Sequence, residues 1–423
     1  MTGHLSPRTA RRRFLLLTAT RWFPVGLVVG LLTLWPLERG LTIAAVLLAF
    51  SFQGLVVAAL ELPTGGFADA FGRRPVLVAA AAVNVVASVV MIAAGSFWGF
   101  AAAAVLTGVF RALDSGPMEA WFVDTVHAAE PGADVDGTLA AQSTVLGAAM
   151  AVGAVVSGGL VVWDPLPSGS ALLLPMLAWA VLNVVHLVAV ATLLHEPRAH
   201  VDQTGLRRAA TSVREAPGVV RDGFGLLRRN RVLLALVLVE VFWSVGMVVF
   251  ESLQPVRLAE IVGSEERAGA LMGPVAGAAW GVFALGAALA GLGSRRYGVA
   301  RTAIAARVFN GLGAVVMGLV AGPVALVAAY LFTYTLHGSA GPMHATLLHR
   351  EAESRNRATV LSINSMVAFA AFSVGAPLVG ALAEVTTVQV AMVSAGAFSI
   401  VGAVLYLPAL RAERRRPALS VPA

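Results

Sequence analysis

The sequence has no cysteine and no lysine, and only 13% of its 423 residues carry a charge. Without cysteine, neither a disulfide framework nor a cysteine-based metal site can form. The histidines and acids show no metal-ligand spacing such as H-E-x-x-H, and nothing resembles the glycine-rich Walker loop of nucleotide hydrolases. We therefore expect no metal, no bound cofactor and no coupling to ATP hydrolysis within this chain.

Apolar residues dominate instead: 58% of the residues are hydrophobic, and the mean hydropathy is +0.82. A soluble domain is about one quarter charged, so this balance is typical of a chain solvated by lipid. A membrane-spanning helix needs ~20 mostly apolar residues. The apolar runs predict an all-α integral membrane protein with twelve transmembrane helices, at residues 15–35, 41–64, 76–95, 98–123, 138–162, 171–195, 230–254, 269–293, 301–321, 323–345, 358–383 and 386–409.

The distribution of arginine predicts how the chain crosses the membrane. The pI of 10.9 would fit a nucleic-acid-binding protein, but the arginines lie between apolar runs, so we expect no nucleic acid. With the N-terminus inside, 24 of the 30 arginines fall in cytoplasmic segments. The positive-inside rule then predicts that both termini are cytoplasmic in a bacterial-type cell membrane. Met1–Arg13 leads into the first apolar run without a small-residue cleavage site, so we expect no cleavable signal peptide.

A long polar stretch divides the apolar runs into two groups of six. It covers residues 196–229 and predicts a cytoplasmic linker between an N-terminal bundle (1–195) and a C-terminal bundle (230–423). Short motifs recur in the two halves at offsets of 225 or 226 residues: Gly65, Asp69 and Gly72 match Gly291, Arg295 and Gly298, and Gly116–Ala120 matches Gly341–Ala345. This repetition predicts two pseudo-symmetric six-helix bundles.

The segment Gly65–Arg74 carries the most specific motif. Its sequence, GGFADAFGRR, resembles the loop G-x-x-x-D-x-x-G-R-[RK] of the major facilitator superfamily, and it lies where that family carries it, after the second span. The resemblance covers essentially the whole chain and implies the facilitator fold. In the fifth span, Gly147, Gly153, Gly158 and Gly159 loosely resemble a glycine-rich element of drug/proton antiporters, without its central proline. The efflux branch of the family is therefore the expected one.

The family resemblance also implies a conformational latch around this loop. Its members in this sequence are Gly65, Asp69, Gly72, Arg73, Arg74 and, at the inner end of the fourth span, Asp124. The alternative is that the loop charges serve only as anchors on the cytoplasmic side. The second copy has Arg295 where the first has Asp69, so a latch in the C-terminal half must differ or be absent.

Several ionisable residues lie within the predicted spans, where each costs ~2.5–3.5 kcal/mol on insertion scales and therefore faces a cavity or a partner. The candidates for proton coupling or for lining the substrate cavity are Arg111, Asp114, Glu119, Glu240, His337 and His344. Histidine titrates near physiological pH, which suits proton coupling. The alternatives are a static Arg111–Asp114 ion pair and packed, hydrogen-bonded histidines. Arg21 and Glu61 fall at matching depth and predict a structural ion pair between the first two spans.

Together these features predict a secondary transporter that works by alternating access. We expect proton-coupled export of a small lipophilic or amphipathic compound; a proton-coupled symporter or a uniporter for a small metabolite is the alternative. The aromatic residues expected to line a pocket, unless they face lipid, are Trp22, Phe23, Trp121, Phe242, Trp243, Phe250, Trp280 and Phe332. The acids are spread over separate helices, which disfavours an enzyme, and a scaffold would not need them. Monomer is the expected state, since each chain contains both bundles.

Overall fold

A computed structural model describes residues 5–166, 169–195, 203–353 and 356–415 of the chain. The first part of the chain forms eight helices: α1 (Pro7–Val28), α2 (Leu34–Glu38), α3 (Ile43–Phe71), α4 (Arg73–Ala93), α5 (Phe97–Asp114), α6 (Pro117–Ala129), α7 (Asp136–Trp163) and α8 (Leu173–Leu193). The helices that follow are α9 (Gln203–Arg229), α10 (Arg231–Val248), α11 (Gln254–Val262), α12 (Glu265–Tyr297), α13 (Val299–Leu319), α14 (Pro323–Glu351), α15 (Arg357–Val385), α16 (Val388–Val401) and α17 (Leu407–Arg415). A π-helical turn, Val249–Leu253, joins α10 to α11, and a 3₁₀ turn, Gly402–Tyr406, joins α16 to α17.

Ten of the described helices or helix pairs are long and apolar enough to cross a membrane. Of the other two predicted spans, 323–345 lies within α14, whereas 15–35 overlaps α1 only as far as Val28 and is interrupted by turns before α2. Both α1 and α14 are richer in polar residues than the ten. The predicted all-α class is confirmed for the described residues, whose regular elements are all helices. Polar side chains start several of the helices; Thr42 and Thr387, for example, each accept a hydrogen bond from the backbone N–H three residues on.

The internal repeat is visible in the helix boundaries. Helices α4 and α13 are both 21 residues long and are offset by 226 residues at each end. Each follows a glycine with left-handed backbone geometry, Gly72 at φ 88° and Gly298 at φ 87°. Only glycine adopts this geometry without a steric penalty. The two loops therefore turn in the same way, although their charged residues differ.

Another predicted span is also discontinuous. The predicted fourth span, 98–123, is broken at Ser115–Gly116, where Gly116 has a φ of 92° and α6 begins at Pro117. Its repeat counterpart, Gly341-Pro342, lies inside the continuous helix α14. Proline is well tolerated in the first turn of a helix, and the left-handed glycine before it allows the turn. The break makes Asp114 the last residue of α5.

The chain groups into two compact units. Unit 1 comprises Met1–Ala216 and Pro255–Gly281, and unit 2 comprises Pro217–Gln254 and Val282–Ala423. In unit 1, α1 packs on α7 and α8, and α3 packs on α5. In unit 2, α13 packs on α14 and α16, and α10 packs on α15. Each unit has a buried core of its own, with Phe14, Trp121 and Phe122 in unit 1 and Leu236, Leu347 and Tyr406 in unit 2.

Glycine allows close contact between α1 and α7. A Cβ atom at Gly153 would collide with the carbonyl oxygen of Phe23 and lie 3.1 Å from the Cα of Gly26. In lipid, small residues at such crossings let backbones pack closely. By contrast, a Cβ at Gly147 of the same helix would meet no heavy atom within 4 Å.

We expect Gly153→Ala to destabilise the protein by about 1–3 kcal/mol, because the backbone atoms that it meets cannot move aside. Gly147→Ala is the matched control and should be neutral or stabilising by up to about 1 kcal/mol, since alanine is favoured over glycine in a helix. Thermal unfolding of the two purified variants measures the difference. Equal effects of the two substitutions would contradict the described α1–α7 packing.

Candidate functional site

The most deeply buried charges of unit 2 meet around Glu240. The His344 Nε2 lies 2.9 Å from the Glu240 Oε1, and the Arg307 Nη2 lies 3.7 Å from the same oxygen. The three residues are only 3–4% exposed, and they come from three different helices, α10, α13 and α14. Burial at this level is tolerated for a charged group only when it has a partner. Glu240, His344 and Arg307 therefore form a mutually dependent cluster, which we call the Glu240 cluster.

Tyr406 and Asn364 complete the hydrogen bonding of this cluster. The Arg307 Nε donates to the Tyr406 hydroxyl at 3.3 Å, and the same hydroxyl lies 2.9 Å from the His344 Nδ1. Since the Tyr406 oxygen accepts from Arg307, its hydrogen is available for Nδ1, which places the hydrogen of a neutral His344 on Nε2, facing Glu240. The Asn364 side chain hydrogen-bonds to both His344 and Glu240. Consecutive hydrogen bonds thus link the Tyr406 hydroxyl, the His344 ring and the Glu240 carboxylate.

His337 lies in an aromatic cage beside this cluster. Its ring stacks on Trp243 with the ring centroids 5.3 Å apart, and the ring centroids of Phe250, Phe283 and Tyr334 lie 5.2–5.5 Å from its own. Trp243 connects the two groups, because the Arg307 guanidinium lies over its indole ring at 4.4 Å. The Nδ1 of His337 is buried and has no hydrogen-bond partner among the described residues. Ring contacts rather than hydrogen bonds therefore hold this histidine.

The two histidines lie seven residues apart on α14 but have different surroundings: His344 is part of a charged cluster and His337 of an aromatic one. Of the predicted pocket aromatics, Trp243 and Phe250 surround His337, whereas Phe242 stacks on Phe398 and Phe332 is half exposed. Arg307 and Tyr406 were not among the predicted site residues. Arg307 could have been predicted, because it is a charged residue within an apolar run. Tyr406 could not, because the sequence does not distinguish it from a tyrosine of the hydrophobic core.

In unit 1, the buried charges centre on Arg21. Its Nε donates to the Asp114 Oδ2 at 2.8 Å, and its guanidinium lies 4.3 Å from the centroid of the Phe110 ring and 4.9 Å from that of Trp22. The Arg21 side chain is 8% exposed and that of Asp114 is 20% exposed. The pair lies at the break after α5, where the negative end of the helix disfavours an aspartate. Arg21 offsets that penalty.

The observed pairing corrects the predicted Arg21–Glu61 ion pair and rules out the alternative Arg111–Asp114 pair. Arg21 binds Asp114 and not Glu61, and Arg111 interacts electrostatically with Glu61 rather than forming the proposed static pair with Asp114. The physical reason is helix packing: α1 packs on α7 and α8, and α3 packs on α5, so the first two spans are not the neighbours that their order in the chain suggested. The charged residues of α1, α3 and α5 therefore pair differently from the prediction.

Two further polar side chains of unit 1 have defined partners. Glu119, a predicted cavity residue on α6, accepts a hydrogen bond from the Gln142 amide on α7. His186 on α8 is 4% exposed, and its Nδ1 lies 3.0 Å from the Thr20 hydroxyl. Thr20 also lines an apolar cavity of about 430 Å³ between α1, α7 and α8. His186 was not predicted, because a single histidine in an apolar run is as often a packing residue.

The loop after α3 contains an ion pair that fits the predicted latch. Arg73 forms a salt bridge with Asp124 of α6, and the Arg74 Nη2 donates to the Ala191 carbonyl at 2.8 Å. Gly72 supplies the left-handed turn that brings the two arginines to the start of α4. The side chains at 62–66 and 69, which include the predicted latch members Gly65 and Asp69, lie outside the described residues. The conformational role of this loop stays a prediction.

In the repeat counterpart of this loop, after α12, a glutamate from α17 takes the place of the Arg73–Asp124 pair. The repeat counterparts of Arg73 and Asp124 are Val299 and His349, at offsets of 226 and 225, so the direct pair cannot form. Instead, the Glu413 carboxylate accepts hydrogen bonds from the backbone N–H groups of Val299 and Ala300 at 3.0 and 3.1 Å. It also accepts one from the Arg350 Nη1 at 2.7 Å. Glu413 thereby accepts from the free backbone N–H groups at the start of α13, where a negative charge is favoured. Through Arg350 it also links this helix start to the end of α14.

We expect Glu413→Ala to destabilise the protein by about 1–2 kcal/mol, because the change removes a helix cap and its charge-assisted bonds together. Arg350→Gln breaks the partly exposed ion pair and leaves the cap in place, so it should cost less than about 1 kcal/mol. Thermal unfolding in detergent compares the two variants. A cost for Arg350→Gln equal to that for Glu413→Ala would mean that the ion pair, and not the cap, stabilises this corner.

Groups of histidine and acidic residues that could bind a metal ion do not occur among the described residues. Each unit has a set of buried charges of its own. Neither set presents a nucleophile beside a general base.

Comparisons with known proteins agree with this architecture. The sequence profile of the Major Facilitator Superfamily matches residues 14–375. No curated protein sequence matches the chain. Among solved structures, the nucleoside transporter NupG is similar at 12% identity and a TM-score of 0.75, over 95% of this chain and 99% of that chain. A structure that concerns substrate recognition in proton dependent oligopeptide transporters is similar at 12% identity and a TM-score of 0.70, over 96% and 99% of the two chains. A POT family transporter in complex with 5-aminolevulinic acid is similar at 12% identity and a TM-score of 0.71, over 94% and 95%.

These comparisons carry different weight. At 12% identity, the solved structures show a shared fold and nothing finer. The superfamily profile covers most of the chain, including the loop after α3 and both sets of buried charges as far as residue 375. The chain therefore belongs to the Major Facilitator Superfamily, and it is a multi-pass membrane transporter rather than an enzyme.

Proposed function

We propose that this protein is a proton-coupled exporter of a small lipophilic or amphipathic compound. The observation that carries the proposal is the contact of 2.9 Å between His344 and Glu240 within a cluster that is almost fully buried. Histidine and carboxylate are the side chains that most readily exchange a proton near neutral pH. A transporter without such coupling has no need for an acid at this depth, where it is costly.

The charge balance of the Glu240 cluster supports coupling between protonation and conformation. With Glu240 ionised and His344 neutral, the charges of Glu240 and Arg307 cancel. One added proton, on either His344 or Glu240, leaves the cluster with a net positive charge in a low-dielectric setting, and an uncompensated buried charge costs about 3–5 kcal/mol. A conformational state that admits water or a substrate would relieve that cost. Protonation would in this way favour one conformational state over the other.

The expected cycle is alternating access, in which the bundle of residues 1–195 rocks against that of residues 230–423 about a midplane site. The aromatic cage around His337 supports an amphipathic substrate, because Trp243 and Phe283 are partly exposed and offer flat apolar surface near the charged cluster. We propose that both termini face the cytoplasm and that a single chain suffices for transport.

The alternative is a proton-coupled symporter or a uniporter for a small metabolite. Solved structures with this fold include a nucleoside transporter and proton dependent oligopeptide transporters, and these substrates are metabolites. At 12% identity this likeness does not extend to the substrate. The direction of proton movement relative to the compound distinguishes the two functions.

The test uses purified protein in liposomes with a pH-sensitive dye trapped inside and an imposed proton gradient. A panel of lipophilic cations, antibiotics, nucleosides and short peptides is added. Antiport predicts that particular lipophilic compounds dissipate the gradient, with protons and compound moving in opposite directions. Dissipation by a nucleoside or a peptide moving with the protons would instead establish symport. Transport of a compound with no proton movement would overturn proton coupling.

A further inference from the structure

Three buried nitrogen atoms at the indole ring of Trp243 have no hydrogen-bond partner among the described residues. They are the Nε1 of Trp243 itself, the Nη1 of Arg307 and the Nδ1 of His337. The Arg307 guanidinium lies over the indole ring at 4.4 Å, and the His337 ring stacks on it with the centroids 5.3 Å apart. Such groups are rare in native proteins, where a bound water, ion or ligand supplies the missing partner. We call these three residues the Trp243 site.

The missing partner at the Trp243 site is a hydrogen-bond acceptor. The indole Nε1 only donates, and so does each nitrogen of a guanidinium group. The other two nitrogens of Arg307 are engaged, since Nε donates to the Tyr406 hydroxyl and Nη2 lies 3.7 Å from the Glu240 Oε1. The Nδ1 of His337 donates or accepts according to its tautomer. Two obligatory donors, on Trp243 and Arg307, therefore lack an acceptor.

The charge balance of the Glu240 cluster indicates that this acceptor is uncharged. With His344 neutral, Glu240 already offsets the charge of Arg307, which is only 3% exposed. A bound anion would add an uncompensated negative charge, and a bound cation would face the guanidinium group and two N–H donors. Either arrangement is costly where water is excluded. A carbonyl oxygen accepts from both donors and leaves the net charge unchanged.

The rings around the Trp243 site suit the apolar body of such a compound. Trp243, His337 and Phe283 are partly exposed, so the protein does not cover their rings completely. Phe250 and Tyr334 are buried, and their ring centroids lie 5.2 and 5.5 Å from that of His337. Flat apolar surface with a few placed polar groups is the general character of a small-molecule site. An aromatic compound therefore fits these surroundings better than an aliphatic one.

We propose that the Trp243 site binds the carbonyl oxygen of an uncharged aromatic compound, through the Nε1–H of Trp243 and the Nη1–H of Arg307. The inference rests on the proposed function, since it names the class of compound that the protein transports: aromatic ketones, amides or esters. The compound is thereby linked to the Glu240 cluster, because Arg307 belongs to both. A methylene in place of the carbonyl removes these hydrogen bonds, and a carboxylate or an ammonium group brings an uncompensated charge.

The indole N–H signal of Trp243 tests the proposal directly. Purified full-length protein with isotopically labelled tryptophan is studied by NMR in detergent, and the signal lost in Trp243→Phe is assigned to Trp243. The probes are benzophenone, diphenylmethane, diphenylacetate and diphenylmethylammonium, which share two phenyl rings and differ in the polar group. Benzophenone should move the Trp243 signal downfield, as expected when an N–H gains an acceptor, and the other three should not. The signal of Trp98, which is 73% exposed, should stay in place.

Calorimetric titration of the variants measures the contribution of the indole donor. Trp243→Phe keeps an aromatic ring beside Arg307 and His337 but has no N–H group. It should bind benzophenone roughly 3- to 10-fold more weakly, which corresponds to one lost neutral hydrogen bond, and should bind diphenylmethane as the wild type does. Unchanged binding of diphenylmethane also shows that the variant is folded. Trp98→Phe is the matched control, since it makes the same change at an exposed side chain, and should bind both probes as the wild type does.

Four results would overturn the proposal. The first is equal binding of benzophenone by the wild type and Trp243→Phe, and the second is tighter binding of the carboxylate or the ammonium probe than of benzophenone. The third is binding of none of the four probes. The fourth is a Trp243 signal that lies downfield before any compound is added and does not move, which would assign the missing partner to bound water. Binding is measured without a proton gradient, so each of these results leaves the liposome test of proton-coupled export unaffected.

Discussion

Glu240→Gln should lower substrate-driven proton movement in liposomes to the rate of protein-free vesicles, while the protein still binds its substrate. Glutamine keeps the shape of the side chain and its hydrogen bond from His344, but it cannot take up or release a proton. The change also leaves Arg307 without its counter-charge, so we expect a loss of stability near the lower end of the ~3–5 kcal/mol range for a broken buried pair. Binding and thermal unfolding measured on the same preparation separate this loss from the loss of coupling.

The matched control for this experiment is Glu260→Gln. Glu260 is exposed and pairs with Arg257 at 3.0 Å, so the same chemical change breaks an arginine–glutamate pair outside the Glu240 cluster. The Glu260 side chain is 40% exposed, but Arg257 is only 8% exposed, so the control also costs some stability. The control should nevertheless transport as the wild type does, because Glu260 lies outside the Glu240 cluster. Undiminished proton movement in Glu240→Gln would remove the Glu240 cluster from the coupling mechanism. His344→Gln gives an independent second test of the same path.

Asp114→Ala should destabilise the protein by about 3 kcal/mol, because Arg21 would then be a buried cation without a counter-charge. The contacts of Arg21 with the rings of Phe110 and Trp22 compensate only in part, at roughly 0.5–2 kcal/mol. Removing both charges, in Arg21→Met with Asp114→Ala, should restore most of the lost stability. Thermal unfolding of the two single variants and the double variant gives the coupling energy.

A double-mutant cycle on Arg21 and Glu61, compared with the one on Arg21 and Asp114, distinguishes the observed pairing from the predicted one. Groups in direct contact show coupling energies of about 0.5–3 kcal/mol, whereas independent sites add within about 0.5 kcal/mol. Arg21 with Asp114 should give the larger value, and Arg21 with Glu61 should be near additive. A larger coupling of Arg21 to Glu61 would mean that the described packing of α1 and α3 is wrong.

The fold class was predictable from sequence because its signals are local. Runs of ~20 apolar residues identify spans wherever they occur, and the loop Gly65–Arg74 identifies the family through residues that are adjacent in the chain. The left-handed turns at Gly72 and Gly298 likewise follow from their motif. Membership of the superfamily is confirmed by the match over residues 14–375.

Side-chain pairing was less predictable because it depends on which helices pack together. Depth along a span placed Arg21 level with Glu61, but the partner of Arg21 is Asp114, on a helix that is not adjacent in sequence. The break at Gly116 was missed for a related reason, since the identical tripeptide Gly341-Pro342-Met343 continues as helix. The cap that Glu413 provides at the start of α13 could not be predicted either, because more than a hundred residues separate Glu413 from Val299.

The central claim is that the Glu240 cluster exchanges the coupled proton. Its most direct test is the number of protons released when a transported compound is added to detergent-solubilised protein in weakly buffered solution containing a pH dye. The account predicts that the wild type and Glu260→Gln release protons in proportion to the compound bound, and that Glu240→Gln binds the compound and releases none. Equal release by Glu240→Gln and the wild type would contradict the claim and assign the coupled proton to another group.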